Sequence, residues 1–200
     1  MGGVIANMSM SLDGYIEGPD GGVGELFGWY ANGPKATKMP GDGRSFQTSE
    51  ASARHLEESV SGTGALLTGR RLFDLAKAWG GRHPAGCPVF VVTHSEPEDW
   101  AHPEAPFTFV LDGVASAVAQ AQAVARERSV AIASADLAQQ CLDLGLLDAI
   151  AVDLVPVLLG GGKPFFAGLP GAPYRLEDPT VTEGAGVTHL HYRVRREAEG

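Results

Sequence analysis

The sequence predicts an α/β fold built on a mixed, mainly parallel sheet with helices on both faces and an antiparallel hairpin at its C-terminal end. Short apolar runs such as Pro88–Thr93 alternate with segments of helical period such as Val114–Arg128, the order expected of strand-helix-strand units. The runs are almost continuously apolar, as strands covered on both faces are. The last part of the chain, with Tyr174-Arg175-Leu176 and then Val187 to Val194, has no helical spacing between its strands, so a hairpin is expected there.

Val4 to Met10 reads as a buried strand that runs into a turn at Ser11 to Ile16. From Glu17 to Thr48, Gly, Pro and Asp recur without a sustained period around an aromatic island of Leu26, Phe27, Trp29 and Tyr30. A loop that long is expected to serve a function or to move. Ser49 can cap a helix running through Val60, and Ala65–Thr68 is a short central strand that Gly69 ends before a helix opens at Arg70. Pro88–Thr93 and Phe107–Leu111 are further strands. Val114, Val118, Ala121 and Val124 mark one apolar helical face, followed by a strand at Val130–Ala133. Ser134 can cap the next helix, which carries Leu137, Cys141 and Leu144 and stops at Gly145. Ile150 to Leu159 is a strand closed by Gly160-Gly161-Gly162.

Composition narrows the function. Two hundred residues at 44% hydrophobic content are enough for one well-buried core, so a single domain is expected over residues 1–196 with a short tail at 197–200. Fifteen Lys and Arg against 24 Asp and Glu give a net charge of -9, a field that repels nucleic-acid backbones and anionic membrane surfaces. Cys87 and Cys141 lie far apart without metal-ligand spacing, which fits a reducing, cytoplasmic compartment better than a disulfide framework. No run approaches the roughly 18 apolar residues of a membrane span. Glycine, at 27 residues, is nearly double its average usage of about 7%, which favours binding by tight loops.

Three strand-to-helix corners are candidate anion sites. Thr68-Gly69-Arg70-Arg71 joins a helix start to two guanidinium groups. Thr93-His94-Ser95 offers two hydroxyls and an imidazole, and Ala133-Ser134-Ala135 offers small residues before a helix, although Asp136 in its first turn would repel a phosphate. Each corner is equally readable as a plain structural turn. Gly160-Gly161-Gly162 forms either the floor of a ligand site or a sharp exit from the sheet. Asp13 is the one carboxylate beside the end of the first strand, placed to orient a substrate, to donate a proton, or only to form the turn with Gly14. Trp29 and Tyr30 either stack on a planar substrate or plug the long loop onto the core. His189 and His191 share one face of their strand, a spacing open to metal binding, but no third ligand lies nearby in sequence and no metal is expected. The GxSxG, HExxH, P-loop and zinc-deaminase patterns do not occur.

Taken in order, Met10–Ile16, Thr68–Phe73, Pro88–His94, Gly145–Asp148 and Leu154–Gly162 resemble the family that contains the C-terminal reductase domain of the riboflavin-pathway deaminase-reductase. The resemblance spans nearly the whole chain. It implies a dihydrofolate-reductase-like, three-layer α/β/α fold, NADPH as cofactor and a homodimer. It places Thr68, Gly69, Arg70 and Arg71 at the cofactor's phosphates and Thr93, His94 and Ser95 on its adenosine side. Ala133, Ser134 and Ala135 match a third cofactor segment where the family usually carries glycines, so this chain departs there. Asp13 and Gly14 fall beside the nicotinamide and the substrate, with Gly160 and Gly161 in the glycine-rich turn near that pocket. The implied activity is hydride transfer to a small heterocyclic, imine or carbonyl substrate by a stand-alone reductase, with Gly14, Trp29 and Tyr30 on the substrate side. A non-catalytic small-molecule binder with a modified cofactor site is the alternative, and a flavin or deazaflavin is a third possibility.

Overall fold

The computed structural model describes residues 2–98, 100 and 102–195, so the tail expected at 197–200 lies outside the described residues. In chain order the strands and helices are β1 Val4–Ser11, β2 Tyr15–Glu17, β3 Lys35–Lys38, β4 Ser45–Thr48, α1 Glu50–Gly62, β5 Thr63–Gly69 and α2 Arg70–Leu75. They continue with β6 Val89–Val92, β7 Phe107–Val110, α3 Val114–Ala125, β8 Ser129–Ala133, α4 Ala135–Asp143 and β9 Ala149–Val155. The chain ends on β10 Lys163–Pro164, β11 Thr180–Gly184 and β12 Val187–Arg193.

Eight strands form the main sheet in the order β11-β12-β9-β1-β8-β5-β6-β7. The run from β9 to β7 is parallel throughout, while β12 lies antiparallel to both β9 and β11. Alternation along β1 separates the two faces, because successive side chains point to opposite sides. Val4 and Ala6 pack with Leu67, Ile132 and the buried stripes of α3 and α4 in the largest apolar cluster. The opposite face is covered by α2, through Phe73 against Val89 and Val91, and by α1, through Leu56 against Trp29, Val155 and Val187. This is the three-layer α/β/α architecture with a mainly parallel sheet.

The helix caps follow the sequence closely. Ser49 Oγ accepts from the Ser52 N–H at the start of α1, and Ser134 Oγ accepts from the Leu137 N–H at the start of α4. Gly145 adopts φ +67° just past α4, where a residue without Cβ ends a helix at little cost.

Four expectations need correction. Residues 17–48 are not without regular structure: two single-turn 3-10 helices, at Gly24–Leu26 and Gly28–Tyr30, precede the β3–β4 hairpin. Its signal was an alternation that buries Thr37 and Thr48, hidden because the inward residues are hydroxylic. The helix expected to reach Arg128 stops at Ala125, and Arg126 turns to φ +58°. The strand expected to reach Leu159 stops at Val155, where Pro156 has no N–H to donate to a sheet ladder. The C-terminal hairpin pairs Thr180–Gly184 with β12, whereas Tyr174–Leu176 contributes only an isolated bridge between Leu176 and Val194. Thr180-Val181-Thr182 has the β-branched composition of a strand, and Gly186 at φ +68° makes the tight turn.

Candidate active site

In a parallel sheet the strand ends all open on one side, and ligands gather at that carboxyl edge. The ends of β1, β5, β6, β8 and β9 bring there Asp13, Gly69, Thr93, Ser134 and the turn after Pro156. The three corners singled out in the sequence are therefore neighbours, since β5 pairs with β8 on one side and β6 on the other.

The gap between β5 and β8 is narrow. Thr68, fully buried, turns its hydroxyl to the Ala133 carbonyl at 3.4 Å, and a Cβ on Gly69 would stand 3.5 Å from Ser134 Oγ. Helix α2 starts on Gly69 with no side-chain cap, so first-turn N–H groups at this corner are left for a ligand or water. Ala135, the first residue of α4, is buried, while Ser134 keeps its hydroxyl on the helix it caps.

Charges around this gap are paired. Lys163 Nζ lies 2.9 Å from both oxygens of Asp136, Arg71 Nη2 donates to Glu17 Oε1 at 2.6 Å, and Arg70 Nε reaches both oxygens of Asp74. The repulsion expected from Asp136 is thus offset by Lys163, which lies 27 residues away in sequence. The price of this pairing is that both arginines begin committed, and an anion would compete with Glu17 and Asp74 for them.

Beside this gap, Arg70 Nη1 also donates to the Ser95 carbonyl at 3.1 Å, which ties α2 to the loop after β6. Thr93 Oγ1 donates to the same carbonyl at 2.9 Å, and His94 is exposed. An open recess of about 820 Å³ lies here, with Arg70, Phe73, Lys77, Ser95, Glu96 and Trp100 among its lining residues. One wall is strained. Lys77, Ala78 and Trp79 have φ values of 47°, 48° and 49°, a left-handed conformation that costs residues with a Cβ roughly 1–2 kcal/mol each.

At the other end of the edge, Asp13 accepts from Ser11 Oγ at 2.6 Å, from the Leu159 N–H at 3.1 Å and from the Gly160 N–H at 2.7 Å. The Ser11 hydroxyl, followed by those two amides, holds this exposed carboxyl below the usual carboxylate range. Asp13 is consequently an ionised clamp on the glycine turn rather than a stored proton. Gly14 has φ +91° with open space where a Cβ would stand, and a side chain at Gly162 would run into the Glu17 carbonyl. Gly160, at φ +71°, and Gly161 complete that turn.

Trp29 is only 2% exposed, donates from its indole to Ser9 Oγ at 3.4 Å, and packs with Leu26, Leu56, Val155 and Val187. It plugs the long segment onto the core. Tyr30 stacks on Phe46 with centroids 4.1 Å apart. Burial, followed by the charge of Asp153, pushes its phenol up.

Behind Trp29 lies a cluster that the sequence did not reveal. His189 Nδ1 is 2.7 Å from Asp153 Oδ1, His55 Nε2 is 3.3 Å from the same oxygen, and His189 Nε2 is 2.9 Å from Ser52 Oγ. Asp153 sits in an apolar strand and His55 in a polar helix, 98 residues apart by number (153 − 55). The pairing of His189 with Asp153 across β9 and β12, together with α1 packed over them, brings the group together.

Residues 3–189 match the family described as RibD C-terminal domain. Among solved structures, a putative riboflavin biosynthesis protein from Shewanella sp. PV-4 is 21% identical with a TM-score of 0.72, over 97% of this chain and 99% of that one. Dihydrofolate reductase from Enterococcus faecalis, solved with NADP(H), is 13% identical with a TM-score of 0.57 over 97% of each chain. A riboflavin biosynthesis reductase from Saccharomyces cerevisiae is 14% identical with a TM-score of 0.54, over 97% of this chain and 90% of that one. At these identities the structures establish the fold alone. No curated protein matches in sequence.

Proposed function

The chain belongs to the RibD C-terminal domain family, and from that premise we propose that it is an NADPH-dependent reductase of a small heterocyclic, imine or carbonyl substrate. The observation that carries the reading is the single edge on which Gly69, Ser134, Ser95 and the Asp13-clamped turn stand together, next to a recess of about 820 Å³. Gly69 to Arg71 and Ala133 to Ala135 would flank the pyrophosphate, with Thr68 bracing the two strand ends beneath it. Thr93 to Ser95 and Arg70 would hold the adenosine end, where Trp100 offers an aromatic face and Lys77 a charge for the 2′-phosphate.

The nicotinamide would lie toward Gly14 and the Gly160–Gly161 turn, whose backbone Asp13 fixes. When bound, NADPH supplies the hydride, so the protein's share of the chemistry is orientation and the exclusion of water. Leu26 and Trp29 anchor residues 24–30 to the core beside the end of β1, which shapes the substrate side. Absence of an apolar helix long enough to cross a membrane among the described residues, together with the need for NADPH, supports a cytoplasmic reductase. The exposed β11 edge supports a homodimer, which sedimentation at micromolar concentration tests.

Calorimetric titration with NADPH, with NADH in parallel, tests the reading. Micromolar binding that favours NADPH and weakens by about 1–3 kcal/mol in Arg70→Ala is expected, the usual cost of a lost charge-assisted bond. A second reading, a binder without turnover, is favoured by one observation: Arg70, Arg71 and the Ser134 hydroxyl are all engaged within the protein. No heat with either nucleotide supports it. A yellow purified protein would point instead to a bound flavin.

A further inference from the structure

We propose that His55, Asp153 and His189 form a binding site for one divalent first-row transition-metal ion of the zinc or cobalt class. Their ligand atoms all lie within 4.8 Å of one another. The separations of 2.7 Å and 3.3 Å from Asp153 Oδ1 to the two imidazole nitrogens are near the spacing of adjacent ligands around an ion with bonds of about 2.0–2.2 Å. Two imidazoles and one carboxylate suit zinc, cobalt or iron, and disfavour magnesium and calcium, which take oxygen ligands.

The elements pre-set this geometry. Strands β9 and β12 pair His189 directly with Asp153, so both side chains leave the sheet on the same face. Helix α1 lays His55 over His189, ring on ring, with centroids 3.9 Å apart. Trp29 closes the flank, edge-on to His189 at 5.1 Å. On its far side His189 Nε2 meets Ser52 Oγ, the outer hydrogen bond that fixes the ring of a metal-binding histidine. Ser52 is itself held by Ser49 Oγ at 3.1 Å.

Electrostatics supplies a reason for a cation. Asp153 is buried, and its carboxylate lies 2.7 Å from His189 Nδ1 and 3.3 Å from His55 Nε2. Among the described residues its ion-pair partners are those two histidines, with no lysine or arginine. Neutral imidazoles would leave a buried negative charge, which proteins pair or give to a metal. An ion entering between the three ligands is bound by a lone pair from each imidazole, and each neutral ring keeps its proton on its other nitrogen, which for His189 is Nε2 facing Ser52 Oγ. The His55 side chain is 24% exposed against 2% for His189, so the ion reaches the site past His55. Sequence spacing pointed to His189 with His191, but His191 is not among the convergent atoms. The third ligand came from a helix instead.

The test uses the full chain, freed of metal by a chelator and dialysed, then titrated with Zn²⁺, Co²⁺ and Mg²⁺ by calorimetry, with the visible absorption of bound Co²⁺ as an independent signal. One Zn²⁺ or Co²⁺ per chain is expected, with no Mg²⁺ heat and about 100-fold weaker binding in His55→Ala. Asp153→Asn is expected to do the same, and circular dichroism checks its fold. Because His55 is partly exposed, its variant keeps the test decisive if Asp153→Asn unfolds. No stoichiometric Zn²⁺ or Co²⁺ binding, or binding indifferent to His55→Ala, overturns the proposal and leaves two histidines sharing one carboxylate oxygen. Neither outcome depends on NADPH, so the reductase reading stands or falls separately.

Discussion

Lys163 Nζ stands 2.9 Å from each oxygen of Asp136, a bridge from β10 to the first turn of α4. Without it, a carboxylate would sit unbalanced at the strand-to-helix corner where a pyrophosphate is proposed to bind. Lys163→Ala is therefore expected to weaken NADPH binding by about three- to tenfold, as an unpaired like charge within several ångströms would at a solvent-exposed site. Stability should change by less than about 1 kcal/mol, since this is a surface pair. Calorimetry and urea unfolding check the two effects, and unchanged affinity would remove this corner from the cofactor site.

Ser134→Gly separates the reductase reading from the closed-site reading. In the structure the Ser134 hydroxyl is turned to the Leu137 N–H, away from the gap it could block. The substitution is expected to alter NADPH affinity by less than about threefold and to cost a few tenths of a kcal/mol, as Gly does in place of a Ser cap. A gain beyond tenfold in affinity would show that the native side chain shuts the site.

Lys77→Gly should make the protein more stable and a poorer binder. Glycine accepts φ near 47° without the steric cost borne by lysine. The exposed Lys77 side chain gives up little packing in return, so a gain of about 1 kcal/mol in urea unfolding is expected. If Lys77 meets the 2′-phosphate, the same variant loses most of its preference for NADPH over NADH. Retained preference would place the phosphate elsewhere in the recess.

His83 gives the protein an acid-sensitive element. Burial, followed by the charge of Arg44, lowers its pKa to about 4, and its Nδ1 accepts from the Ala85 N–H at 3.2 Å. The unfolded chain takes up this proton near the ordinary value of about 6.5, the folded one only near 4. Its contribution is thus complete above about pH 6.5 and is lost as pH falls toward 4, amounting to about 1–3 kcal/mol. Histidine NMR should show His83 neutral at pH 5, and a charged imidazole there would contradict the assignment.

The fold was largely legible because parallel strands buried on both faces announce themselves as apolar runs, and because Ser49 and Ser134 stand where helices need caps. The β3–β4 hairpin was not, since its buried residues Thr37 and Thr48 carry hydroxyls and read as loop. Of the site, the strand-end corners were visible as glycine and hydroxyl clusters. What those residues bond to was not: Lys163 on Asp136, the backbone amides on Asp13 and the burial of Trp29 all depend on chain segments remote in sequence. His55 and Asp153 carried no local signal, and they meet only because β12 sets His189 beside Asp153 and α1 lays His55 over His189.

Strand β1 lies between β8 and β9, with Val4 beside Val130 and Ile5 beside Ala149. Of the strands described, β1 leaves the ribosome first, yet it must wait for β8 and β9 to find its neighbours. At synthesis rates of about 5–20 residues per second, it spends on the order of ten seconds with neither edge paired. Such a wait leaves an apolar strand open to wrong partners. Folding of this chain is accordingly gated by the arrival of β9, and the Asp13 clamp, which joins the end of β1 to Leu159 and Gly160, can close only at that late step.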